Sequence, residues 1–153
     1  MTSSPRPGLY AIIDTLVASP PRNRSAVEQI LGTGLTLSSA GGFNFYEAGN
    51  VVLDDATLTS VDYREPGADE HEFGPLLVLT IDGECFAQTD LVVRYGFDAV
   101  RSPTGHGAAE LRHWIRHQPW GELSFGFSTG DDGCLKEVVF DIRPLGAAIL
   151  ARP

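Results

Sequence analysis

The chain opens on apolar residues at helical spacing. Leu9, Ile12, Ile13, Leu16 and Val17 fall on one face of a helix over residues 8–18, and Ser19-Pro20-Pro21 ends it. Ser25-Ala26-Val27-Glu28 has the form of a capping box, Val27, Ile30 and Leu31 make one apolar stripe, and Gly32 stands where a helix closes. A second, short helix is therefore predicted over 25–31, joined to the first through Pro20-Pro21 and Arg22-Asn23-Arg24.

From Leu35 onward the period changes to two, and β-branched and aromatic residues increase. Gly41-Gly42 and Gly49-Asn50 punctuate the strands. Residues 57–64 place Thr57, Thr59, Val61 and Tyr63 on one face and Leu58, Ser60, Asp62 and Arg64 on the other, as expected of a strand with one wet face. Glu65 to Phe73 combines Pro66 and Gly67 with four acids and reads as an exposed loop. Leu76 to Ile81 is apolar on both faces and reads as a central strand. Leu123, Phe125 and Phe127, a turn over 129–133, and Val138, Phe140 and Ile142 form a hairpin. Residues 110–117 fit a helix through Leu111, Trp114 and Ile115, but their β-rich surroundings and the Gln118-Pro119-Trp120-Gly121 turn favour a strand. Leu145 to Pro153 reads as a frayed tail.

Thr89 to Gly96 repeats the logic of Ser25 to Gly32, with a hydroxyl cap, matching apolar positions and a closing glycine. Two explanations stand: an internal duplication of a helix-plus-meander unit, with units 8–85 and 86–145, or chance similarity of two short capped helices. Either way the expected class is α+β, short N-terminal helices packed on an antiparallel β-sheet. At 153 residues and 42% hydrophobic content, residues 1–153 fit one globular domain.

Charge changes the picture. Residues 54–90 hold ten carboxylates against one base, Arg64, and the other 116 residues balance ten acids with ten bases. The net charge of -9 is thus local. Such a field repels phosphate backbones and anionic lipid, so nucleic acid and membrane are excluded as partners and a basic protein is favoured. No run approaches the ~20 apolar residues of a membrane span, and MTSSPRPG lacks the pattern of an export signal. A cytoplasmic protein is expected. Cys85 and Cys134 lie in apolar, strand-like stretches and read as reduced core residues rather than as a disulfide or a metal or redox site.

No catalytic, cofactor or metal site emerges. His113 and His117 have zinc-helix spacing, but Trp114 stands where a metalloprotease places glutamate, and on a strand the two imidazoles lie ~13 Å apart. They read as surface histidines beside Arg112 and Arg116. Gly32-Thr33-Gly34 lacks the third glycine of a dinucleotide loop, and Ser124 has no nucleophile elbow. The pairs Asp54-Asp55, Asp69-Glu70 and Asp131-Asp132 follow no calcium-loop spacing, and Asp131-Asp132-Gly133 is turn chemistry. Phe43 and Phe45 read as core packing on an alternating strand, and Trp120 as the cover of a sheet end. The chain does not read as an enzyme.

The order helix, helix, antiparallel meander resembles the two-helix, four-strand unit of outer-membrane assembly lipoproteins and beta-lactamase-inhibitor proteins. Ser25-Ala26-Val27-Glu28-Gln29-Ile30-Leu31-Gly32, Phe43-Asn44-Phe45-Tyr46-Glu47 and Trp120-Gly121-Glu122-Leu123-Ser124-Phe125-Gly126-Phe127 are similar to phrases in small cytoplasmic immunity proteins of bacterial toxin systems. That resemblance implies a stoichiometric inhibitor that neutralises a cognate toxin by covering its active site. It agrees with the charge argument, because a basic cleft is steered toward an acidic inhibitor. The candidate partner-binding residues are Asp54, Asp55, Asp62, Glu65, Asp69, Glu70 and Glu72. A general interaction adaptor and a small ligand-binding protein or enzyme are the alternatives.

Overall fold

A computed structural model of the chain describes residues 6–67, 72–101, 111–129 and 133–144. Helix α1 (Leu9–Ala18) buries Leu9, Ile12, Ile13 and Leu16, the stripe that the spacing predicts. Gly8 has no side chain to cap it. The Asp55 carboxylate does so from 46 residues away, accepting the Leu9 N–H at 2.9 Å. The Asp54 N–H donates to the Pro7 carbonyl at 2.9 Å beside it.

Helix α2 (Arg24–Leu31) is capped by Asn23, whose side-chain oxygen accepts the Ala26 N–H at 2.9 Å, and not by Ser25. Glu28, the other half of the expected capping box, instead accepts the Leu35 N–H at 2.7 Å and fixes the entry into the sheet. Gly32 closes the helix at φ 68°, a conformation a side chain would disfavour.

The chain then forms β1 (Thr36–Ser39), β2 (Phe43–Ala48), β3 (Val51–Val52), β4 (Ala56–Pro66), β5 (Leu76–Gly83), helix α3 (Gln88–Tyr95), β6 (Ala99–Arg101), β7 (Leu111–Gln118), β8 (Gly121–Ser128) and β9 (Leu135–Ile142). The described strands make one antiparallel sheet in the order β1-β2-β4-β5-β9-β8-β7-β6, with β3 beside β4. The α+β class holds, and residues 111–118 are strand, not helix. Helix α3 starts at Gln88 after an N-cap Ala87 without a side-chain bond, so Thr89 is not its cap. Read outward from β5 and β9, both halves of the sheet are consecutive meanders. The expected tail, residues 145–153, lies outside the described residues.

The helices cover one face. Leu77, Leu79 and Ile81 of β5 and Val138, Phe140 and Ile142 of β9 are at most 4% exposed there and join one cluster with Leu9, Ile13, Val27 and Leu91. Tyr10 meets Phe86 edge-on, and Tyr95 stacks on Phe125 at 5.1 Å between centroids. Arg94 and the Tyr95 hydroxyl both donate to Asp14, at 2.6 and 2.8 Å, tying α3 to α1. Trp120 covers the sheet end as expected, its ring N–H donating to the Val17 carbonyl at 3.1 Å.

Strand β4 departs from strict alternation. Its pairing with β5 skips Thr59, since Leu58 faces Ile81 and Ser60 faces Thr80. This bulge shifts the phase, so Leu58, Val61 and Tyr63 all reach the helix side and Thr57 does not. The strand also runs on to Pro66, which puts Glu65 and Pro66 in the sheet and not in the loop.

The cysteines are not reduced core residues. Cys85 is exposed, Cys134 is buried, and a disulfide joins them across a sequence separation of 49, with Cα atoms 5.1 Å apart. Apolar neighbours in sequence hid this, because Cys85 lies just past the end of β5 and Cys134 just before β9. Among the described residues no helix is long and apolar enough to cross a membrane.

The disulfide closes a long loop, so the double replacement Cys85→Ala with Cys134→Ala is expected to lower unfolding free energy by up to roughly 4 kcal/mol. Urea unfolding of the two proteins measures it, and equal midpoints at equal slopes would show that the cross-link adds nothing.

Candidate partner-binding face

The opposite face of the sheet carries no described helix, and strand register arranges its side chains in rows. In one row His117, Glu122, Asp141, Leu76, Arg64 and Phe45 are successive cross-strand neighbours from β7 to β2. The middle row runs Ala99, Ile115, Ser124, Val139 and Val78, then Asp62 and Glu47. The third holds Arg101, His113, Gly126, Glu137 and Thr80. An apolar belt thus lies between two charged rows. Ile115 is buried, yet it stands outside the cluster under the helices.

Acids dominate this face. Its strands carry Glu47, Asp62, Asp82, Glu122, Glu137 and Asp141 against Arg64 and Arg101, with Lys136 at the β9 bulge. Two pairs of carboxylates stand directly opposite each other across adjacent strands, Glu47 with Asp62 and Glu122 with Asp141. Like charges in such positions destabilise a sheet. Partial burial that strips water from the carboxylate, then the charge of Glu122, raises Asp141 above the ordinary carboxylate range, even though part of the residue's surface is exposed.

The histidines are held more firmly than surface residues would be. Gly126 stands between His113 and Glu137 on the strand that separates them, and a Cβ there would come within 2.8 Å of Glu137 and 2.9 Å of His113. The missing side chain lets the two bond over β8, Nε2 to Oε1, at 2.7 Å. His117 bonds Asp98 through Nδ1 at 2.8 Å and Glu122 through Nε2 at 3.2 Å. Both of its ring nitrogens are therefore engaged. The His117 backbone N–H, and then its ring, hold the Asp98 carboxyl below the ordinary range. No group of three metal-ligating side chains occurs among the described residues.

Of the described carboxylates picked out from sequence, Asp62 alone lies on this face of the sheet. Asp55 caps α1, Asp54 is exposed beside that cap, and Glu65 is on the helix side opposite Asn44. Glu72 is exposed in the loop before β5. Asp69 and Glu70 lie outside the described residues. Glu47, Glu122, Glu137 and Asp141 were missed because each belongs to a stretch of balanced charge and only the register brings them together.

Phe43 and Phe45 are not core residues either. Both share this open face with Arg64, and Phe45 is 40% exposed, while the next residue, Tyr46, packs toward the core beside Tyr63. No family model, curated protein or solved structure matches this chain.

Because the folded chain binds a proton at Asp141 more readily than the unfolded chain, its ionised form costs stability at neutral pH. The cost disappears as pH falls through the raised value. Asp141→Asn is expected to be more stable than the parent near neutrality, with the gap closing on acidification. Thermal melts across pH test this, and a gap independent of pH would contradict it.

Proposed function

We propose that this chain is a binding protein of the immunity type, which neutralises a cognate basic toxin by covering the toxin's active site. The observation that carries this reading is the open sheet face, an apolar belt bordered by charge, on which carboxylates oppose each other across strands. Protein interfaces have this anatomy, an apolar centre with a polar rim. Repulsion that weakens the free protein is relieved when a basic surface arrives. The field of the face also speeds the encounter. The absence of catalytic motifs in the sequence agrees with an inhibitor that acts by occupancy.

A bacterial cytoplasmic location was expected from the sequence, but a disulfide between Cys85 and Cys134 fits a compartment that keeps thiols oxidised. We therefore place the encounter with the toxin in such a compartment.

Glu47→Lys separates binding from folding. It turns a repulsive pair with Asp62 into an attractive one, so folding stability is expected to rise by about 0.2–1 kcal/mol. Association with the cognate basic toxin is expected to slow by roughly tenfold at low salt, with a weaker salt dependence. Stopped-flow mixing and urea unfolding measure the two effects. Unchanged association at low salt would remove this face from the interface.

A further inference from the structure

Arg64 is the one base in residues 54–90. It stands on the open face among acids, yet it forms no ion pair among the described residues. Asp62, two positions along the same strand, is held by the Ser60 hydroxyl at 2.8 Å. Asp141 lies beyond Leu76, one strand further away. The guanidinium carbon sits 5.1 Å from the Phe43 ring centre and 5.9 Å from that of Phe45, so two aromatic rings fix its position. Its Nε is buried and has no hydrogen-bond partner among the described residues. A buried N–H without an acceptor is costly, and native proteins rarely tolerate one without a use for it.

A hollow of about 160 Å³ lies beside this group, walled by Phe45, Leu76 and Val78, with Ser38 and Asp62 also on its lining. It is smaller than the roughly 300 Å³ at which sites for drug-sized ligands begin. We propose that this hollow is a carboxylate-binding site, in which Arg64 takes the carboxylate of a small acid and the apolar walls take its body. A planar guanidinium held in place matches a carboxylate with two parallel hydrogen bonds. The negative field of the surrounding face disfavours phosphates and dicarboxylates, which leaves a singly charged acid. A free acid and a glutamate presented by another protein share this chemistry. The site does not depend on the toxin-binding reading, since a small acid would bind whatever protein the face meets.

The test follows the Arg64 Nε–Hε signal by nitrogen-resolved NMR in the intact protein. Phenylacetate, its neutral analogue phenylacetamide, and the blocked tripeptide acetyl-Ala-Glu-Leu-amide are titrated separately. Phenylacetate or the tripeptide is expected to move the signal saturably and phenylacetamide is not. The stronger of the two acids tells whether the natural carboxylate is free or protein-borne. Arg64→Lys, which keeps the charge and loses the fork, is expected to weaken binding by about tenfold, the worth of one charge-assisted hydrogen bond. Equal response to acid and amide, or no response to either acid, overturns the proposal. The titration of the unmodified protein decides the matter even if the variant does not fold.

Discussion

The antiparallel pairing of β5 with β9 is the contact on which the rest of the architecture depends. Five cross-strand pairs, from Leu76 with Asp141 to Thr80 with Glu137, join the two meanders into one sheet. On the helix side this pairing sets Leu77 beside Phe140 and Leu79 beside Val138, so both halves share one core. Without it each meander would expose an unpaired edge and half of an apolar face. The Cys85–Cys134 disulfide crosses at the end of the same seam, where an isolated bridge pairs Ala87 with Cys134 and the Leu135 N–H donates to the Phe86 carbonyl at 3.0 Å. Covalent and hydrogen-bonded links thus reinforce one junction.

That junction also makes the opposite face continuous. Charges that are far apart in sequence become neighbours across it, which is why Glu137 and Asp141 share a surface with Asp62. The face combines features that folding alone does not require. A carboxylate opposes another carboxylate twice, and an arginine stands among acids without an ion pair among the described residues. Elsewhere charge is used conventionally: Asp14 accepts from Arg94 and Tyr95, and Asp55 stabilises a helix start through its carboxylate and the helix dipole. On the helix side charge ties elements together, whereas the open side sets carboxylates against each other in two cross-strand pairs, and that contrast supports assigning the open side to binding.

Local physics was legible in the sequence and long-range geometry was not. The α1 stripe, the closing Gly32, the central β5 and the β8–β9 hairpin follow from period and turn residues within a few positions. Strand β7 was legible because its neighbours on both sides were plainly sheet. The bulge at Thr59 was hidden, since only the partner strand reveals that one residue is skipped, and it reversed the faces assigned to Thr57 and Leu58. The role of Asp55 depended on a helix 46 residues away. The acidic run from 54 to 90 drew notice as a segment, but a sheet sends alternate residues to opposite faces, so Asp62 and Glu65 part company. The one signal in the sequence for the open-face cluster was Gly126 between alternating apolar residues, a gap through which His113 and Glu137 meet.

The most direct test of the central claim is a chemical-shift map of this protein titrated with its cognate basic toxin. The account expects the largest changes on the open face, at Glu47, Asp62, Val78, Ser124 and Val139, with the helices little affected. Changes concentrated on α1, α2 and α3, with the open face silent, would contradict it.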